Sequence, residues 1–311
     1  MRNQHLRRLA GTVAALALMA GAAQAKGKTF ALIQYNQQVS FFTDITKGAQ
    51  KAADEEGDKL VVFDANNSAS AQDNAFDTYI QQKVDGIILV AVDPDGIMGS
   101  VKAADKAGVP VVSVDAALPP GPQKAGITVD NEAAGKEMGA FYVDYVKKNM
   151  DGKASLGVVG ALNSNLQLLR QKGFESVTGA DAGITKVGVV DGRNIQDQAL
   201  AAGENLLTGN PKLDTIYATG EPALIGAIAA AASQGRDKVK IFGWDLSAQA
   251  LAAIDAGTVV AVVQQAPDQE GYKAVKALDT LTSGGKVEAT IKVPVEIVTK
   301  ANVDKYRAAY K

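Results

Sequence analysis

Carboxylates, amides and aromatic rings collect where the apolar segments of this chain come to an end. Tyr35 to Phe42 follow one such segment, Asp115 another, and Asn163 to Asn165, Asn194, Gly220-Glu221, Trp244-Asp245 and Gln265 follow others. In VKIFGWDLSA, residues 239–248, the only tryptophan of the chain stands directly before a carboxylate. Carboxylates accept hydrogen bonds from hydroxyls, amides donate and accept, and a flat aromatic face covers the apolar C–H side of a ring. Such a set suits a neutral, hydroxyl-rich ring or a polyol. Each member also has a plainer reading. A single Trp is usually a large core residue, and an Asp after a strand usually caps the next helix. Phe41 reads equally as a hydrophobic staple, Asp115 as a loop cap and Arg170 as a solvated helix residue.

The rest of the inventory removes most catalytic chemistry. Residues 1–25 carry Arg2, Arg7 and Arg8, then LAGTVAALALMAGA, then Ala23-Gln24-Ala25, the pattern of a secretory signal peptide cut after Ala25. The sole histidine, His5, leaves with it, and there is no cysteine. The remaining 286 residues therefore offer no Ser-His-Asp or Cys-His nucleophile, no His- or thiolate-ligated metal and no disulfide. Neither G-x-x-x-x-G-K-[ST] nor G-x-G-x-x-G occurs, so a nucleotide is not the expected ligand, and no cofactor or metal is expected. Loss of three arginines leaves 29 basic against 34 acidic residues, a net charge of −5 with the signs interspersed, which argues against nucleic acid as a partner. Without a cysteine at the cut to carry a lipid, or a second long apolar run, the product is expected to be free in the space it enters.

Positioning these residues falls to an alternation of strands and helices. TFALIQY, LVVFDA, GIILVAV, VPVVSVDA, ASLGVVGA, ITKVGVV, DTIYATG and KVKIFGWD read as strands, with helical stretches between most of them, beginning near Ser40, Ala69 and Gly96. This βαβα order predicts α/β architecture with parallel sheets covered by helices on both faces. Ile45, Ala49, Ala52 and Ala53 fall at helical spacing and form a stripe that covers a sheet. Glu221-Pro222 opens a helix, with Pro where its missing N–H costs nothing. In doubly wound sheets ligands bind beyond the carboxyl ends of the strands, where the polar set lies. A chain of this length usually forms two domains, yet no linker marks a boundary, so the crossings should be short and strand-like.

From Phe30 to Lys300 the chain resembles the ribose-binding class of periplasmic solute-binding proteins that feed ABC transporters. The markers are SFFTDITKGAQKAADEEG, DGIILVAVDPDG, VPVVSVD, LRQKGF, NLLTGNP, FGWD and QAPDQEGYKAVKAL. The resemblance implies a non-catalytic receptor of two doubly wound lobes joined by a three-strand hinge. Its lobes would comprise 26–129 with 266–295, and 130–265 with 296–311. Phe41, Phe42 and Trp244 then match aromatics covering the two sugar faces, and Asp115 and Asp245 match hydroxyl-accepting carboxylates. Arg170 matches a donor to ring or hydroxyl oxygens, and Gln265 a hinge-adjacent glutamine. Ala116, Gly220 and Val39 replace an arginine and two asparagines of ribose binders, which points to another monosaccharide or a sugar alcohol. Gln34, Tyr35, Gln38, Asn163, Asn165 and Glu221 are candidate replacements. The implied partners are that solute and an inner-membrane ABC permease, with the protein a periplasmic monomer. The same fold serves receptors for signalling or chemotactic molecules and repressor cores. A signal peptide and the absence of a helix-turn-helix argue against a repressor. As a hydrolase, Asp115 and Asp245 would be acid and nucleophile.

Overall fold

The computed structural model describes residues 27–310, so the signal peptide expected over 1–25 lies outside the described residues. Two six-stranded sheets organise them. The first is built on Thr29–Gln34 (β1), in which Phe30 to Ile33 are wholly buried, as a strand covered on both faces requires. Lys59–Asp64 (β2), Gly86–Leu89 (β3), Val111–Val114 (β4), Ala125–Thr128 (β5) and, from far along the chain, Thr290–Lys292 (β11) complete it. Their order is β11-β5-β4-β3-β1-β2, all parallel. The second sheet holds Ala154–Gly160 (β6), Ile184–Asp191 (β7), Thr215–Ala218 (β8), Lys240–Trp244 (β9), Val259–Gln264 (β10) and Glu296–Val298 (β12). It runs β12-β10-β9-β8-β6-β7, with only β12 antiparallel to its neighbour.

Helices cover both faces of each sheet. They are Ser40–Glu56 (α1), Ala69–Gln81 (α2), Met98–Lys106 (α3), Asn131–Asn149 (α4), Asn165–Thr178 (α5), Gln196–Gly209 (α6), Glu221–Ser233 (α7), Ala248–Ala256 (α8) and Pro267–Thr282 (α9), with a 3-10 segment at Val303–Tyr310. Side chains alternate across a strand, so Phe30 and Leu32 join one core while Ala31 and Ile33 join another. The second sheet likewise separates a core around Val159 from one around Val158. The expected doubly wound α/β architecture is therefore present. Ile45, Ala49, Ala52 and Ala53 bury as the α1 stripe predicts, and α7 opens on Glu221-Pro222. β5, β10, β11 and β12 fall outside the eight runs read from the apolar pattern; the last two have only three residues each.

The chain passes between the sheets three times, from β5 to α4, from β10 to α9 and from β11 to β12. Both halves of any site between them thus hang on these short segments. One helix pair sets the site with unusual closeness. A Cβ on Gly135 of α4 would stand 2.3 Å from the Arg170 carbonyl oxygen, and one on Gly173 of α5 would stand 2.1 Å from that of Glu132. The two backbones touch, and the seat of Arg170 follows from that contact.

Candidate ligand cleft

Asp115 and Asp245 occupy the same place in the two sheets. Each immediately follows a central strand, β4 or β9, and each is held in the left-handed region, at φ 65° and 61°. That conformation is uncommon for residues other than glycine, and it concentrates at functional sites. Asp245 lines the space it shares with Ser40 and Phe41 of the other lobe, and the charge of Asp245 acts on Asp115. Among the described residues no side chain hydrogen-bonds the Asp115 carboxylate. The Asp245 carboxylate accepts from Gln265 Nε2 at 3.0 and 2.9 Å.

Arg170, only 5 % exposed, fills the middle. Its Nε donates to Asn131 Oδ1 at 2.7 Å and its Nη1 to the Thr219 carbonyl at 3.2 Å, while Nη1 stands 3.9 Å from Asp245 Oδ2. Its guanidinium carbon lies 3.9 Å from the centroid of the Trp244 ring. Asn131 in turn donates to the Val129 carbonyl, at the first crossing between the sheets. The guanidinium is thus preorganised by three elements, with charge left over for oxygen atoms in the cleft.

Trp244 differs from the expectation of a cleft wall. The indole is wholly buried in the core with Phe174, Tyr217 and Phe242, donates its N–H to Tyr217 Oη at 2.7 Å, and carries Arg170 on its face. The strand direction explains this: β9 is central, and its side chains are claimed by the cores on either side. Tyr35 and Phe42 stack at 5.0 Å with planes 11° apart, and Phe41 meets Phe42 edge-on, so an aromatic group does stand at the N-terminus of α1. Phe41 shares a small space with Ser40, Asp44, Glu221, Asp245, Leu246, Gln264, Pro267 and Tyr310. That space is only about 10 Å³, room for about one water, and Ser40 reaches Glu221 across it at 3.2 Å. The lobes are closed on one another, and a monosaccharide enters only if they part.

The remaining candidates separate. Gln34 is buried and committed, donating to the Phe42 carbonyl and Thr46 and accepting from the Tyr35 N–H. Asn163 and Asn165 are exposed ahead of and at the first turn of α5, and Gln38 is exposed in the loop before α1. Asn194 accepts from Gln167, whose Oε1 accepts from Thr219. Gln167 also explains Gly220, since a Cβ there would lie 2.7 Å from its amide nitrogen. Residues that the sequence reading passed over include Asn131, Tyr217, Gln264, Tyr310 and Glu270. The last had a signal: in QAPDQEGYKAVKAL it shares the helical stripe of Ala274 and Ala277, a carboxylate on the buried face.

Acidity is concentrated in this cleft. Burial pushes Asp115 up to about 6, with Arg170 opposing and Asp245 reinforcing. Burial and then Asp245 push Glu221 up to about 7. Asp245 is raised by burial against the pull of Arg170 and Gln265, and Glu270 is raised by burial, Asp115 and Asp245. All four hold protons more tightly in the closed fold than in the unfolded chain. Between about pH 4 and 7 the native state therefore binds the excess protons, and stability falls as pH rises. Carboxylates whose pKa values are lowered, such as Asp130, Asp181 and Glu296, act with the opposite sign below that window. The melting temperature of the closed form, held by saturating solute, is expected to decline from pH 5 to 7, and Glu221→Gln to flatten the decline. A melting temperature that rose across that interval would contradict the closed acidic cleft.

Two doubly wound lobes that meet at their strand carboxyl ends are the architecture of solute-binding receptors. The chain belongs to the periplasmic binding protein family: residues 30–286 match the periplasmic binding protein domain. It is 31 % identical over 260 residues to the ribose import binding protein of Bacillus subtilis, covering 84 % of this chain and 83 % of that one. The xylitol-binding protein of Mycolicibacterium smegmatis is 29 % identical over 268 residues, 85 % of this chain and 75 % of its own length. In fold the chain is similar to an ABC transporter periplasmic solute-binding protein from Actinobacillus succinogenes with bound D-allose, at a TM-score of 0.84 and 22 % identity, covering 90 % of this chain and all of that one. Members of this family are binding proteins rather than enzymes.

Proposed function

We propose that the protein captures a monosaccharide or sugar alcohol in the cleft and, without chemical change, presents the closed form to an ABC permease of the inner membrane as a periplasmic monomer. The observation that carries this reading is the pairing of Asp115 and Asp245, one from each lobe, around Arg170. Two acceptors and one donor that meet only on closure make affinity and closure a single event. Asp115, Asp245, Glu221 and Arg170 take the hydroxyls and ring oxygen, and Phe41, Phe42 and Tyr35 supply the aromatic face. Trp244 acts through Arg170, and Gln265 steadies Asp245 beside the second crossing. The rigid bodies are 26–129 with 266–295, and 130–265 with 296–311, turning at Val129-Asp130, Gln265-Ala266 and Val295-Glu296.

A thermal-shift screen of pentoses, hexoses and polyols identifies the solute, because a ligand that binds only the native state raises the melting temperature by mass action. Small-angle scattering with that solute then tests the mechanism. The radius of gyration is expected to fall on saturation, and superimposable curves would sink the closing motion.

A further inference from the structure

Glu270 is the one feature of the cleft that a neutral sugar leaves unexplained. It sits in the first turns of α9, just after the second crossing, wholly buried, and neither carboxyl oxygen has a hydrogen-bond partner. Pro267, one turn earlier on the same buried face of α9, lines the small space between the lobes together with Asp245, and this puts Glu270 directly behind that space; the charges of Asp115, Asp245 and Arg170 all act on it. Gln265 Oε1, on the amide that clasps Asp245, is also buried without a partner. Three acceptor atoms in this stretch thus await donors. Arg170 is the cation acting on Asp115, Asp245 and Glu270, and Glu221 adds a fourth acidic group under the influence of Asp245, more acidic groups than one guanidinium or a set of hydroxyls can satisfy. Buried acceptors left unpaired are costly, and a buried carboxylate more so.

An ammonium group answers this inventory: three donors, no acceptor and one positive charge. A metal ion does not, since among the described residues no three carboxylates converge at metal-binding distance. We propose that the cleft selects a sugar or sugar alcohol bearing a primary amine, with Glu270 as the counter-charge of its ammonium and Gln265 Oε1 as a further acceptor. Proton balance is satisfied by either route: a protonated amine meets the Glu270 carboxylate, or a neutral amine takes the proton of the Glu270 carboxylic acid. This deepens the reading of the cleft as a sugar or polyol site and rests on it.

Matched pairs test it by calorimetry at pH 7: D-glucosamine against D-glucose, 1-amino-1-deoxy-D-glucitol against D-glucitol, and an inosamine against myo-inositol. At least one amine is expected to bind about tenfold or more tighter than its hydroxyl counterpart, the scale of a charged hydrogen bond. Glu270→Gln, which keeps shape and removes charge, should bring that ratio close to one by weakening the amine far more than its hydroxyl counterpart. Glu270→Leu should do the same if it folds, and with raised stability. Preference for the neutral member of every pair, or an amine preference that survives both substitutions, overturns the proposal and leaves the sugar-or-polyol reading standing. If the thermal-shift screen, with these amines added to it, finds no sugar, amino sugar or polyol that binds, both fall.

Discussion

Arg170→Ala is expected to reduce ligand affinity by about a hundredfold or more while leaving a folded protein. Removing one partner of a buried, hydrogen-bonded charge set costs about 3–5 kcal/mol, chiefly because the groups left behind stay buried and unpaired. Here those groups are Asp245, 3.9 Å away, and Asp115, both of whose ionisation Arg170 favours. Without the guanidinium both carboxyls should take up protons more readily, so the loss of binding should be deeper at pH 7 than at pH 5. Arg170→Lys should not restore affinity, because an ammonium cannot reach Asn131 and Thr219 while lying flat on an indole. Titration calorimetry at both pH values measures the effect. A folded Arg170→Ala protein with ordinary affinity would remove the centre of the proposed site.

Trp244→Ala is expected to strike stability first and binding second. Truncating a large, fully buried aromatic costs about 3–5 kcal/mol, and this indole is wholly buried and hydrogen-bonded to Tyr217, whose ring stacks on Phe174 at 3.8 Å. The cavity would open under Arg170, so binding weakens through a guanidinium that has lost its platform. Trp244→Phe should keep the platform and lose the bond to Tyr217, a smaller cost of about 1–3 kcal/mol for the hydroxyl left unsatisfied. The double change with Arg170→Ala should be non-additive in affinity, since the two side chains touch. Urea unfolding and calorimetry on the same protein separate the effects. Unchanged stability with lost affinity would restore the indole to the cleft wall. As the only indole, Trp244 is expected to change its fluorescence when the solute binds beside Arg170.

Much of this was legible in the chain because its causes are local. Continuous apolar runs such as Phe30 to Ile33 have no other use than a strand buried on both faces, and the stripe Ile45, Ala49, Ala52 and Ala53 repeats only at helical period. From that alternation follow the doubly wound sheets, and from their geometry the location of the cleft at the strand carboxyl ends. The absence of His and Cys beyond residue 25 by itself excludes imidazole and thiolate chemistry.

Tertiary structure decided which side chains of that edge face the cleft and which face the core. Trp244 and Asp245 are neighbours in sequence, yet one ends β9 inside the core and the other, through a left-handed turn, leaves it. Gln34 and Asn194, polar residues at strand ends, are spent on contacts within the protein. Glu270 lies on an apolar stripe and is nonetheless one turn beyond Pro267, which lines the space between the lobes, because α9 follows directly on the crossing that carries Gln265. Periodicity specifies the face of an element on which a residue lies. What that face meets depends on elements distant in the chain, so the pairing of Asp115 with Asp245 around Arg170 exists only once the two sheets are folded against each other.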